Sequence, residues 1–324
     1  MSHTPGHTRG GVCCTAVLER LLQAWVRQQQ PRNTRRAYSR YADQYVDFCR
    51  ARGLHPARHT SLALFMLHGL RARKLSRSTI LGFCSAVADL FRYEEASPTH
   101  HPLITEMRRC VRRLTRGSVP KRPITNVHLR AMVRHVKPSE RSVRDMFMMI
   151  LMFVAFLREC ELAALKPDDV WVEEAVPGRE VLYIFVAIAK NDQERRGHTV
   201  VVEAAPGCSL CPVAWFRRYT RLRRPQAVTF FHRPAASARP LGADYPNRVL
   251  KAQLTAIGVN PDPYGSHNLR RGGATVTAQA GIAVHVIVRH GNWKSDAAAV
   301  FAYITGSLEQ RLAVGHFNRN IYTI

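Results

Sequence analysis

Acidic side chains are scarce in this 324-residue chain: 23 Asp and Glu stand against 48 Lys and Arg, a formal net charge of +25. A metal-dependent nuclease or transposase needs a set of carboxylates, and Asp168 and Asp169 in "KPDDV" read as a loop pair without partners for a metal site. Long apolar runs are also missing. The most apolar stretch, "MFMMILMFVAFL" at 146–157, is too short to span a bilayer and reads as a buried helix, so no membrane insertion is expected. The 8 cysteines do not make a small-domain disulfide framework, and reduced thiols are expected. "CSLC", with Cys208 and Cys211, lacks the second Cys or His pair that a structural zinc site requires. No metal and no cofactor are therefore expected. The first residues, "MSHTPGHTRGG", contain no apolar segment of the kind an export signal carries, which points to an intracellular protein. No internal repeat is visible.

What is present is a basic chain, 46% hydrophobic, large enough for two cores. Arginine prevails over lysine and recurs along the whole length, which suits a protein that holds phosphates over an extended surface. A polyanionic partner is the leading inference, and a merely solvated basic surface is the alternative. Residues 1–14 read as a flexible tail. A helical region follows over 15–117. In "NTRRAYSRYADQYVDFCRARG", Asn33 or Thr34 can cap a helix with Tyr38, Tyr41, Tyr45 and Phe48 on one stripe and Gly53 as its stop. Arg36 and Arg40 share another face. "SRSTILGFCSAVADLFRYEEA" predicts a second helix. "LITEMRRCVRRLTRG" predicts a third, with Leu103, Met107, Cys110 and Leu114 buried and Arg109, Arg113 and Arg116 on the basic remainder. "RGSVPKRPIT" at 116–125, which includes Lys121, has the prolines and glycine of an interdomain linker.

The second domain, 118–324, alternates differently. Helices are expected near 126–136, 141–165, 212–224, 244–257, 268–281, 283–290 and 295–304. "EVLYIFVAIAK" and "HTVVVEAA" read as a hairpin around the polar turn "NDQERRG". The fold class expected is mostly α with a small antiparallel β-sheet. A helix beginning at Gly265 or Ser266 places His267 and Arg270 one turn apart, where both reach one anion. Arg158 lies near the end of an apolar helix with Glu161 one turn on; either the two pair structurally or Arg158 also serves a phosphate.

These motifs together resemble the tyrosine recombinases, the phage-integrase superfamily, over roughly residues 15–315. "FLRECELAALKPDDV" is similar to the family's first arginine box, "SHNLRRGGAT" to its His-x-x-Arg box, and "VRHGNWKSDAAAVFAYI" to the third box with the tyrosine that follows it. "WKSDA", "KNDQ" and the "CPV" before a helix are closest to the recombinases of eukaryotic mobile elements, the DIRS and crypton types. The resemblance implies a helical DNA core-binding domain joined to a catalytic domain. It also implies a catalytic set of Arg158, Lys190, His267, Arg270, Trp293 and Tyr303.

The implied chemistry cleaves DNA without a metal. Arg158 and Arg270 stabilise charge on the phosphate, Tyr303 attacks to leave a 3′-phosphotyrosine, and Lys190 protonates the departing 5′-oxygen. His267 and the indole of Trp293 complete the donors. His290 is an alternative to Trp293, Tyr322 to Tyr303, and Lys166 or Lys294 to Lys190. Double-stranded DNA is the implied partner, contacted through Arg36, Arg40, Arg109, Arg113, Arg116 and Lys121. A homotetramer holding two DNA sites is the implied assembly, and the nucleus the implied location if the host is eukaryotic. A type IB topoisomerase uses the same chemistry, and a DNA-binding protein that has lost catalysis could keep the same fold.

Overall fold

In the computed structural model the chain divides into two compact units, Met1–Ser118 and Val119–Ile324. The structure describes residues 17–18, 22, 25–26, 30, 32–94, 96–115, 122–187, 196–233, 240–242 and 244–293.

The first unit is helical, with α1 (Arg32–Arg50), α2 (His59–Arg71), α3 (Arg77–Leu90) and α4 (Pro102–Leu114). α1 packs chiefly on α3, and α2 on α4. The aromatic stripe of α1 turns inward: Tyr45 and Phe48 are buried among Phe65, Phe83 and Ile80, and Tyr45 donates to the Pro56 carbonyl at 2.6 Å. Gly53 ends α1 as the sequence suggests, with φ +61 and a 2.9 Å bond from Leu54 N back to the Cys49 carbonyl. Ser76 caps α3 by accepting from Thr79 N at 3.3 Å. At the same end of α3, Arg77 binds the Arg112 carbonyl (2.5 Å) and the Thr115 hydroxyl (3.1 Å), so that its guanidinium closes the C-terminus of α4.

Two expectations change here. The buried stripe of α4 is Ile104 and Val111, with Met107 half-buried; Cys110 and Leu114 are exposed. Both stripes have helical spacing and share Met107, so periodicity alone did not separate them. The second difference is α2, "HTSLALFMLHGLR", an additional helix whose Leu62, Phe65 and Met66 face the core.

The second unit is built around α6 (Glu140–Val154), in which every residue from Val143 to Phe153 is buried. A helix apolar on all sides belongs at the centre of a domain, and α5 (Asn126–Val133), α8 (Pro212–Thr220), α9 (Tyr245–Ala256) and α10 (His267–Gln279) all pack on it. Its two buried charges satisfy one another: the Arg144 guanidinium donates to Asp145 Oδ1 at 2.9 and 2.7 Å and to the His232 carbonyl at 2.5 Å. The expected helix over 141–165 is two helices. It breaks after Val154, where Phe156 adopts φ +50, and restarts as α7 (Glu159–Ala164). No Gly or Pro marks the break, because the left-handed residue is itself an aromatic held by packing.

A three-stranded antiparallel sheet follows, β1 (Val170–Val176), β2 (Arg179–Val186) and β3 (His198–Glu203), in the order β1-β2-β3. The expected hairpin is β2 paired with β3, with Leu182 opposite Val202 and Ile184 opposite Val200. β1 was not anticipated: four of its seven residues are exposed, and the register shifts between Glu174 and Val176, so it lacks clean alternation. The last described helix is α11 (Val284–His290). The predicted helix over 295–304 lies outside the described residues. Among the described residues no helix is long and apolar enough to cross a membrane.

Candidate active site

The break between α6 and α7 builds the site. Because the chain turns at Phe156, Arg158 becomes the N-cap residue of α7, and not a residue near the end of a long helix. Glu161, in the first turn, reaches back to it. Its carboxylate accepts from Arg158 N at 2.8 Å and from Arg158 Nη1 at 2.5 Å, and its second oxygen lies 3.8 Å from Arg270 Nη1. The Glu161 side chain is 2% exposed and that of Arg270 1%, while Arg158 keeps 14%. One buried carboxylate thus sits between two guanidiniums. The three groups carry a net charge of +1, which favours an anion arriving at the exposed edge of Arg158.

Arg270 is held by backbone carbonyls and an indole. It donates to the Phe156 carbonyl and, at 2.6 Å, to the Gly291 carbonyl, and its guanidinium lies 4.1 Å from the centre of the Trp293 ring. The left-handed turn at Phe156 therefore does two things: it starts α7 at Arg158 and presents a carbonyl to Arg270. Trp293 follows Asn292, a residue at φ +46 whose side-chain amide meets His198 Nδ1 at 3.0 Å. Asparagine tolerates this conformation better than most residues. Phe156 and Trp293 contact each other, their ring centres 5.8 Å apart.

α10 delivers His267 and Arg270 from one helix face. Its approach depends on Gly272 and Gly273: a methyl group at the first would lie 1.8 Å from the Ile124 carbonyl oxygen, and at the second 1.9 Å from that of Phe153. The start of α10 is fixed by neighbours that the sequence reading missed. Ser266 Oγ donates to Glu159, and Ser266 N donates to Asn247 Oδ1 at 3.2 Å. Asn268 bonds the Arg122 carbonyl at 2.6 Å and accepts from Gly265 N at 3.0 Å. The signal available was the Ser and Asn on either side of His267. His267 itself is exposed, one turn from buried Arg270.

His290 is occupied elsewhere. Its Nε2 meets the Val154 carbonyl at 2.9 Å, closing the end of α6, and its ring stands edge-on to Phe156 at 4.7 Å. Burial lowers its pKa below the ordinary imidazole value. Lys166 is exposed and its backbone N–H is capped by Asp169 at 2.7 Å, which gives that carboxylate a local role. Of the predicted set, Arg158, Arg270 and Trp293 come together through Glu161 and Phe156, with His267 on the adjoining turn. Lys190, Lys294, Tyr303 and Tyr322 lie outside the described residues.

Of the residues predicted to contact DNA, Arg36 and Arg40 are exposed on α1, and Arg109 and Arg113 are exposed one turn apart on α4. Arg116 and Lys121 lie outside the described residues. Among the described residues no group of three or more His, Cys, Asp or Glu could hold a metal ion.

The fold, with its central buried helix and three-stranded antiparallel sheet, is shared by solved structures of recombinases and integrases. A Tn1549 transposon integrase in complex with transposon right-end DNA superposes with a TM-score of 0.60 at 13% identity, covering 92% of this chain and 98% of that one. The XerH site-specific recombinase bound to a palindromic difH substrate gives 0.59 at 14%, covering 80% and 69%. A lambda integrase dimer bound to a COC′ core site gives 0.57 at 17%, covering 90% and 77%. In sequence, an integrase/recombinase XerD homologue of Selenomonas ruminantium is 24% identical over 159 residues, 48% of this chain and 45% of that protein. The match thus spans under half the length of that curated relative. No family model matches the chain.

Proposed function

We propose that this protein is a site-specific DNA recombinase or integrase that breaks and rejoins strands through a 3′-phosphotyrosyl intermediate. The observation that carries the reading is the buried Arg158–Glu161–Arg270 bridge with Trp293 on the second guanidinium. Charge stabilisation on the nonbridging oxygens of a phosphodiester requires guanidiniums that are rigid before the substrate arrives. Glu161, the Phe156 and Gly291 carbonyls and the indole supply that rigidity. In the proposed reaction the Tyr303 oxygen attacks phosphorus in line and the bond to the 5′-oxygen breaks. Lys190 gives that oxygen its proton, and exposed His267 takes the proton from the tyrosine. Ligation runs the same steps backward, so no external energy source is consumed.

The helical first unit binds duplex DNA beside the cleavage position through Arg36, Arg40, Arg109 and Arg113, and Arg116 and Lys121 extend the contact. Two DNA sites are held by a homotetramer, in the compartment where the DNA resides. These assignments rest on the resemblance, the fold and the exposed basic faces.

The test is the polarity of a trapped intermediate. Incubation of the full chain with a pool of nicked duplexes, followed by SDS, is expected to leave protein on 3′ DNA ends with free 5′-hydroxyls opposite. Strand exchange between two duplexes is expected to exceed relaxation of a supercoiled plasmid. Relaxation without exchange would indicate the topoisomerase chemistry. Salt-sensitive binding with no adduct on any duplex in the pool would overturn the reading in favour of a catalytically silent DNA-binding protein.

A further inference from the structure

Outside the site, one cluster of nucleophilic side chains stands out: Cys208 and Cys211, in the turn that leads from β3 into α8. We infer that these two thiols form a redox-active pair that closes to an intramolecular disulfide by exchange with a low-molecular-weight disulfide. Both are free thiols in the structure. The turn brings them together, since Cys211 N donates to the Cys208 carbonyl at 3.0 Å. A hydrogen-bonded turn of this kind holds its first and fourth Cα atoms within about 7 Å, and disulfides bridge Cα atoms about 4.4 to 6.8 Å apart. The turn therefore holds the two Cα atoms at about the separation that a disulfide spans.

The two sulfurs are differently placed. Cys208 is partly exposed, and its Sγ accepts from Leu210 N at 3.5 Å. Cys211 is 5% exposed, and its Sγ accepts from Ala205 N at 3.2 Å. The turn is also fixed from the helix side, where the Trp215 indole N–H donates to the Ser209 carbonyl at 2.8 Å. Proline at position 212 starts α8 directly after the second cysteine. By contrast, exposed Cys110 and Cys160 lie singly on helices α4 and α7.

Accessibility sets the order of events. The Cys208 sulfur, as thiolate, attacks one sulfur of the small disulfide, forming a mixed disulfide and releasing one thiol. The Cys211 sulfur then attacks Cys208 Sγ, forming the internal S–S bond and expelling the second thiol. The two protons of the cysteine pair end on the two released thiols. The small disulfide is reduced and the protein pair oxidised. A dithiol reductant reverses both steps.

One tryptic peptide, residues 197–217, contains both cysteines, which makes the test direct. The full chain is equilibrated with oxidised glutathione, acid-quenched, alkylated, digested and weighed. The peptide is expected lighter by two hydrogens than its reduced form, with its alkylatable fraction down about tenfold or more. Cys211→Ser is expected to stop at glutathione on Cys208, and Cys208→Ser to leave Cys211 unmodified while circular dichroism shows both variants folded. Two alkylated cysteines in the native chain would overturn the inference, as would glutathione on each without an internal bond. So would modification of Cys211 in Cys208→Ser as fast as that of Cys208 in Cys211→Ser.

Discussion

Glu161 bears on two arginines at once, and its removal should be felt in both folding and chemistry. Truncation to alanine leaves the buried guanidinium of Arg270 without its carboxylate, a change that costs about 3 to 5 kcal/mol when a buried pair is broken. Chemical denaturation of Glu161→Ala against the native chain measures this, and a loss within a few tenths of a kcal/mol would mean that the bridge is not what holds Arg270. His290 provides a pH signature. Burial lowers its folded-state pKa, so on acidification the unfolded chain takes up a proton that the folded chain does not. Its contribution to stability is intact above the ordinary imidazole value, near 6.5, and is lost as pH falls below it. The denaturation midpoint of the native chain should therefore drop between pH 7.5 and pH 5.5 by more than that of His290→Gln. An equal drop in both would remove His290 as the source.

At the scale of elements, α10 is decisive because it brings His267 and Arg270 against the end of α6. Gly273→Ala places a methyl group where the Phe153 carbonyl already lies, 1.9 Å away. The helix must move, at about 1 to 3 kcal/mol for overpacking, and the Arg270 bonds to Phe156 and Gly291 should loosen with it. Thermal unfolding together with adduct yield would show both losses. An unchanged melting temperature would contradict the close approach. Elements also show how far the sequence was legible. The Tyr45 and Phe48 face of α1 and the β2–β3 pairing were readable because each carries a strong period; the start of α10 was placed from its Ser266, whose side chain reaches Glu159 and does not cap the helix. The break at Phe156 was not, since an aromatic in a left-handed turn leaves no composition signal, and it is this break that turns Arg158 into a helix cap. β1 escaped because it is mostly exposed. The Ile104 and Val111 face of α4 was misread because two stripes of equal spacing compete on that helix.

For the whole molecule, the charge of +25 and the exposed arginines of the helical unit predict binding governed by phosphate contacts. Affinity for duplex DNA should fall steeply with salt. The double variant Arg109→Ala with Arg113→Ala should flatten the log–log salt slope by about 2 while changing sequence preference little. A slope equal to that of the native chain would take α4 off the DNA. The candidate site was more legible than the fold at this scale. The order of Arg158, His267, Arg270 and Trp293 along the chain could be read directly, but their mutual support through Glu161, Phe156 and Gly291 depends on backbone carbonyls that no residue pattern reports.

With Tyr303 proposed as the nucleophile, the decisive measurement is a peptide map of the trapped protein–DNA adduct, comparing the native chain with Tyr303→Phe. The expected result is a nucleotide-modified peptide containing Tyr303 in the native digest, and no adduct from the variant although it binds DNA with unchanged affinity. An adduct that persists in Tyr303→Phe, or a modification mapped to Tyr322, would contradict it.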